Sequence, residues 1–201
     1  MTRHLILSVL ISVVSLAGCA ANRPPATAPF DFSNPPPLVH EGYATHIAQA
    51  RFPHDPATTR AFMDDGNKTL KAMPETENIP KIESYTLLKG QRWPEAGAVR
   101  RLNFADGHYA MERAIEFSPE RFSYQVWDFT SKTGNNVAYV YGVQELKPRP
   151  DGGSDFVWTY SLKPNAGWKR PIVQRFVDRN ISVLLDTASA SVAAQANEDD
   201  Q

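Results

Sequence analysis

The sequence predicts an α+β domain: an antiparallel sheet of about seven strands followed by one long C-terminal helix. Three observations carry that expectation. Between Lys81 and Ser161, short segments rich in β-branched and aromatic residues are separated by the turn signals Asp106-Gly107, Ser118-Pro119, Gly134-Asn135 and Asp151-Gly152-Gly153. After Pro171, which suits a first helical turn, Ile172, Val173, Phe176, Val177, Ile181, Leu184, Leu185, Ala188 and Val192 recur at helical spacing. Ahead of the sheet, YATHIAQARF reads as a first strand stopped by Pro53 and Pro56, and ATTRAFMDDGNKTLKAM as two short helices broken at Gly66.

The chain begins MTRHLILSVLISVVSLAGCA, where Arg3 supplies a positive charge and Leu5 to Val14 an apolar run too short to span a bilayer stably. That is the pattern of an export signal. Leu16-Ala17-Gly18-Cys19 resembles the lipobox of bacterial lipoproteins, and the resemblance implies that residues 1–18 are a signal peptide and Cys19 the lipidated mature N-terminus. It also accounts for a single cysteine in an exported chain, where disulfides would otherwise be available. Ala20 stands where an Asp would resemble an inner-membrane retention signal, so the expected place is the bacterial cell envelope, lipid-anchored at the periplasmic face of the outer membrane.

Residues 19–42 hold six prolines and no apolar periodicity, which predicts a semi-rigid tether. Residues 43–195 form the domain, and 196–201 a short acidic tail. With 21 basic and 22 acidic side chains and no long run of either sign, nucleic acid is excluded as an expected partner. The 42% hydrophobic content is sufficient for a core.

Gly97-Ala98-Val99-Arg100, Glu112, Tyr124 and the run Gly152-Gly153-Ser154 leading to Trp158 look like the pattern of the polyketide cyclase/dehydrase-like branch of the START-like, or helix-grip (SRPBCC), superfamily. The order of elements over about residues 43–195 resembles the same superfamily. The resemblance implies a curved sheet wrapped around the C-terminal helix, with a cavity between them for a hydrophobic ligand.

Strand alternation gives an independent reading of the cavity wall. If Asp106-Gly107 is a two-residue turn, Phe104 pairs with Tyr109, Leu102 with Met111 and Arg100 with Arg113, while Arg101 meets Glu112 on the solvent side. Carried onward, the register sets Phe117 opposite Phe122, Ile115 opposite Tyr124, Val126 opposite Tyr141, Val143 opposite Trp158, and Tyr141 opposite Tyr160. The expected ligand-binding residues on the inward face are then Arg100, Tyr109, Met111, Arg113, Tyr124, Asp128, Tyr139, Tyr141, Trp158 and Tyr160. Buried tyrosine hydroxyls need partners, which favours a pocket with polar groups over a purely apolar core. Two explanations of the facing arginines stay open: an internal ion pair of Arg113 with Asp128, or an anion clamp for the carboxylate or phosphate of an amphipathic ligand.

His40, His46, His54 and His108 lack metal-ligand spacing, and there is no Gly-rich phosphate loop, nucleophile elbow or HExxH, so no metal and no cofactor are expected. Trp93 and Trp168 are candidates to frame the cavity mouth. The function expected is a lipid-anchored protein holding a hydrophobic or amphipathic, lipid-like molecule for sequestration or transfer, with protein partners undetermined. One alternative is a cyclase- or dehydratase-type enzyme in which a tyrosine or Asp128 does acid-base work on a polyketide-like substrate. Another is an interaction module whose interior is filled by its own side chains. A continuous cavity of several hundred cubic ångströms would separate that last reading from the other two.

Overall fold

The computed structural model of the chain describes Pro24 and residues 34–199. The segment expected to be a signal peptide, Cys19 and most of the expected tether lie outside the described residues. Seven strands form one antiparallel sheet: β1 (Ala44–Phe52), β2 (Ile82–Lys89), β3 (Val99–Phe104), β4 (Tyr109–Phe117), β5 (Arg121–Trp127), β6 (Val137–Pro148) and β7 (Ser154–Pro164). Their order across the sheet is β1-β7-β6-β5-β4-β3-β2, so the first strand lies beside the last and β2 forms the other edge.

Between β1 and β2 come α1 (Pro56–Asp64) and α2 (Lys68–Ala72). Asp55 caps α1 by accepting from the backbone N–H of Ala57 at 2.8 Å and of Thr58 at 3.2 Å, with Pro56 in the first turn. Gly66, at φ +58°, separates the two helices where the sequence places a break.

The C-terminal helix comprises α3 (Arg170–Phe176), a π-helical turn at Val177–Ile181, and α4 (Ser182–Glu198). It therefore ends within the segment read as an acidic tail. Its expected apolar stripe is buried at Val173, Val177, Ile181, Leu184, Leu185, Ala188 and Val192, whereas Ile172 is 51% exposed on the opposite side of the first turn. The helix lies against the concave face of the sheet, and these residues join Leu102, Tyr124, Val126, Phe156 and Trp158 in one core. At the β1 edge, the Gln174 side chain accepts from Thr45 N–H at 3.3 Å and donates to Thr45 C=O at 3.4 Å.

The register differs by one residue from the sequence expectation at three hairpins, β3/β4, β5/β6 and β6/β7, and over part of a fourth, β4/β5. Ala105-Asp106-Gly107 is a three-residue loop: Phe104 N–H bonds to His108 C=O at 2.9 Å, Gly107 sits at φ +82°, and the Asp106 carboxylate accepts from His108 N–H. Consequently Arg100 faces Glu112, Val99 faces Arg113, and Arg101 faces Met111. An irregularity between Ala114 and Glu116 absorbs the extra residue, so Phe117 still pairs with Phe122 as expected, while Ala114 and not Ile115 opposes Tyr124. The same one-residue displacement recurs around β6, where Val126 faces Val140, Gly142 faces Tyr160 and Gln144 faces Trp158. Gly142 must point inward because a Cβ there would stand 2.2 Å from the Tyr124 ring.

Strands β3, β5 and β7 thus present the expected faces, and β4 and β6 present the opposite ones. Tyr109, Met111, Arg113, Tyr139 and Tyr141 leave the concave wall, and Ala110, Glu112, Ala114, Val140, Gly142 and Gln144 take their places. Residues 34–42, read as the end of the tether, together with Tyr43 account for the apolar convex face. Leu38 and Tyr43 pack on a cluster of Val99, Tyr109, Met111, Trp127 and Tyr139. The Gln125 amide donates to Pro36 C=O at 2.8 Å, and the Tyr139 hydroxyl accepts from Val39 N–H at 3.0 Å.

Antiparallel pairing puts alternate loops at opposite ends of the sheet. One end carries the loops after β3, β5 and β7, and the other those after β1, β2, β4 and β6.

Candidate functional site

Two spaces open between the sheet and the helices. The larger, about 110 Å³, lies toward the end that carries the 105–108 and 128–136 loops. Its wall is apolar, from Leu102, Val126 and Val140 on the sheet to Phe176, Ile181 and Leu184 on the helix. Polar groups gather at its rim, including Asn78, Asp106, His108, Ser131 and Thr133. Tyr160 reaches it from β7.

The smaller space, about 50 Å³, is the more polar of the two, lined by Asp64, Arg100, Glu112, Tyr124, Gln144 and Trp158 with Trp93 across it. Met73 borders both chambers. Arg100 Nε donates to Glu112 at 2.5 Å, and both side chains are buried. The guanidinium also lies 4.0 Å from the centre of the Trp93 ring and 4.9 Å from that of Tyr85. A second buried arginine comes from α1: Arg60 donates through Nη1 to Gln144 at 2.7 Å, while its Nε and Nη2 have no partner among the described residues. The Tyr124 hydroxyl accepts from Trp158 Nε1 at 2.8 Å.

Burial dominates the proton equilibria here. It pushes the Asp64 carboxyl up to about 6, against the opposing pull of Arg60 and Arg100. It lowers the Arg60 guanidinium, with Asp64 acting in the other direction. Burial likewise raises the Tyr124 and Tyr160 hydroxyls well above their ordinary value, helped in Tyr160 by the Glu112 charge. A carboxyl that titrates near neutrality, beside two guanidiniums and a buried carboxylate, can hold a polar ligand atom or exchange a proton with it.

Of the ten residues expected at the site, the concave wall holds Arg100, Tyr124, Trp158 and Tyr160. Tyr109 contributes only to the edge of the apolar cavity, since its side chain belongs to the convex cluster. Met111 and Tyr139 are buried beneath the 34–43 segment, and Tyr141 shares their face. The facing pair Arg100 and Arg113 is replaced by Arg100 with Glu112, and the solvent-side pair Arg101 with Glu112 is lost with it; Arg101 Nε bonds Asn103 instead, at 2.8 Å. Arg113 is half-buried on the convex side, its Nε without a partner among the described residues, and Asp128 is exposed at φ +55°, so neither explanation left open for the facing arginines, an Arg113–Asp128 ion pair or a clamp of Arg100 with Arg113, is realised. Trp93 does cover the polar chamber, whereas Trp168 is exposed and lines neither space.

Arg60, Asp64, Glu112 and Gln144 were absent from the expected site. The expected register puts Glu112 on the solvent side, and the same one-residue difference around β6 brings Gln144 inward. The like-charge opposition of Arg100 and Arg113 was the available sign of the shift, because opposed like charges destabilise a strand pair and moving one residue exchanges the second arginine for a carboxylate. For Arg60 and Asp64 the sign was their spacing, one helical turn apart on α1, beside the apolar Met63.

No family model matches the chain, and no curated protein matches it by sequence. Among solved structures, it is similar to that of Ara h 8.0201, at 15% identity and a TM-score of 0.55, covering 76% of this chain and 99% of that one. It is also similar to the protein XoxI from Bacillus cereus, at 18% identity and a TM-score of 0.49, covering 74% of this chain and 95% of the other. The former likeness spans nearly the whole of its counterpart and agrees with the sheet order and long C-terminal helix described above. The chain has the helix-grip fold.

Proposed function

We propose that the domain binds a compact hydrophobic molecule in the cavity between sheet and C-terminal helix. The observation that carries this is an apolar chamber open at one end and ringed there by polar side chains, the arrangement that takes up an apolar body and leaves a polar end near water. Its size narrows the ligand. At about 110 Å³ it falls short of the several hundred cubic ångströms that would by themselves set ligand binding apart from a filled interior, and it is smaller than the cavity of roughly 150 Å³ that takes up benzene, so a ligand must be small or displace wall side chains. A short branched chain fits the chamber, and a longer ligand extends through the mouth.

The setting belongs to the same reading. Leu16-Ala17-Gly18-Cys19 supports a lipid anchor at Cys19, in the cell envelope and at the periplasmic face of the outer membrane. Cys19→Ala should leave an unprocessed or unanchored protein, and unchanged membrane fractionation with an unchanged mature N-terminus would refute the anchor.

The polar chamber supports a second reading, an acid-base enzyme in which Asp64, in place of Asp128, is the titrating group. Native mass spectrometry of the full-length protein extracted from its own membrane tests for a retained ligand. Val140→Trp, which fills the cavity wall, should abolish the bound mass and the uptake of small hydrophobic dyes while the circular dichroism spectrum persists. If the wild type carries no small molecule and both proteins bind dyes equally weakly, the interior is simply filled, and the interaction-module reading replaces this one.

A further inference from the structure

Five large apolar side chains are exposed among the described residues: Val39, Ile47, Trp168, Ile172 and Val183. Exposed apolar residues scattered singly need no explanation. Trp168, at 73% exposure, and Ile172, at 51%, are one helical turn apart at the start of the C-terminal helix. Basic residues share this stretch: Lys169, whose Nζ lies 5.4 Å from the centre of the Trp168 ring, Arg170, whose Nε donates to Tyr43 C=O at 2.9 Å, and the exposed Arg175 and Arg179. Two acidic residues lie on the same stretch, Asp178, which accepts from the Gln174 amide at 2.9 Å, and Asp186, 2.9 Å from His46, so the cations outnumber the carboxylates there by four to two.

The position of this patch relates it to the cavity. The Trp168 loop is tied to the rim by Asn165, whose backbone N–H donates to Asn136 C=O at 3.0 Å and whose amide donates to Asn135 C=O at 2.7 Å. The adjacent Ser131, Thr133 and Gly134 border the mouth, and Phe176, one turn beyond Ile172, lines the cavity from the helix. An exposed indole with an aliphatic neighbour among cations matches the chemistry of a lipid interface, where the ring lies at headgroup depth and the cations meet phosphates.

We propose that this end of the domain, with Trp168 and Ile172 inserted and Lys169, Arg170, Arg175 and Arg179 on the headgroups, docks on a bilayer surface carrying anionic lipid, so that the cavity opens toward the membrane. The inference rests on the ligand-binding reading for what passes through the mouth, and not for the contact itself.

The test uses the full chain reconstituted in vesicles of phosphatidylcholine alone or of equal parts phosphatidylcholine and phosphatidylglycerol, each with brominated acyl chains. Trp127 and Trp158 are buried and Trp93 is partly so, which leaves Trp168 as the exposed emitter. Docking quenches its emission and shifts the remainder to shorter wavelength in the vesicles containing phosphatidylglycerol. Trp168→Phe removes the effect, and both high salt and the double change Arg175→Glu with Arg179→Glu weaken it. Three results overturn the proposal: vesicle-bound wild type with unquenched emission, quenching that survives Trp168→Phe, or a response that follows protein density and not lipid charge, which marks a protein partner or a second copy. Failure of the cavity reading is separable, since it removes dye binding and leaves the quenching intact.

Discussion

The concave and convex faces of the sheet carry the same kinds of side chain and close in different ways. The concave face has Arg100, Tyr124, Tyr160 and Trp158; the convex face has Arg113, Tyr109, Tyr139 and Trp127. A helix covers the first, and a cylinder laid in a curved trough leaves room beside it, so the interior keeps two chambers and a buried ion pair. An extended segment covers the second, close enough for its backbone to bond the Tyr139 hydroxyl and the Gln125 amide nitrogen. Aromatic richness on a strand face therefore shows that something covers it, and the shape of the cover decides whether a pocket results.

The largest expected effect tests the concave pair. Glu112→Leu leaves the Arg100 guanidinium buried without its carboxylate and should cost roughly 3 to 5 kcal/mol in urea unfolding. Adding Arg100→Met should recover much of that loss; a double variant as unstable as the single one would mean that the pair does not act as a unit.

Next comes Asp64, whose folded value of about 6 lies above the ordinary 3.8, so the folded state holds this proton more tightly than the unfolded chain. Its contribution is fully present below 3.8 and is lost as pH rises through about 6. Asp64→Asn should therefore gain on the wild type across that window, by at most about 3 kcal/mol. A stability difference flat with pH would show that Asp64 titrates as an ordinary surface carboxyl.

On the convex side, Tyr139→Phe removes the acceptor for Val39 N–H and should cost about 1 kcal/mol. Its more specific mark is faster amide exchange at residues 38–43, with the helix unaffected. The smallest effect belongs to Arg113→Met, within about 0.5 kcal/mol or slightly stabilising, because that side chain is half-buried and its Nε has no partner among the described residues. A loss comparable to that of Glu112→Leu would erase the contrast between the faces.

Much of the architecture was legible because it depends on local chemistry. Asp55 and Pro56 start α1, Gly66 breaks it from α2, and the stripe from Val173 to Val192 buries one side of a helix whatever the sheet does. The wall of the site was not legible, because alternation identifies an inner face only when the other face meets water. Here Leu38 and Tyr43 make the outer face apolar, and Tyr109, Met111 and Tyr139 satisfy either assignment equally well. The decision fell to loop length, and Ala105-Asp106-Gly107 supports a two- or three-residue connection with the same residues. Two such displacements cancelled on β5 and β7, which is why Tyr124, Trp158 and Tyr160 were placed correctly from a register that misplaced their neighbours.

The Gln174 side chain, bonded to both the N–H and the C=O of Thr45, bears on solubility. A strand at the border of a sheet offers unpaired peptide groups to any extended chain that comes near, and β1 is such a border. A side-chain amide has the same donor and acceptor as a peptide group, so Gln174 occupies the position that the next strand of a growing aggregate would need. The residue that fastens the helix to the sheet thus also serves as a stopper against edge-to-edge polymerisation.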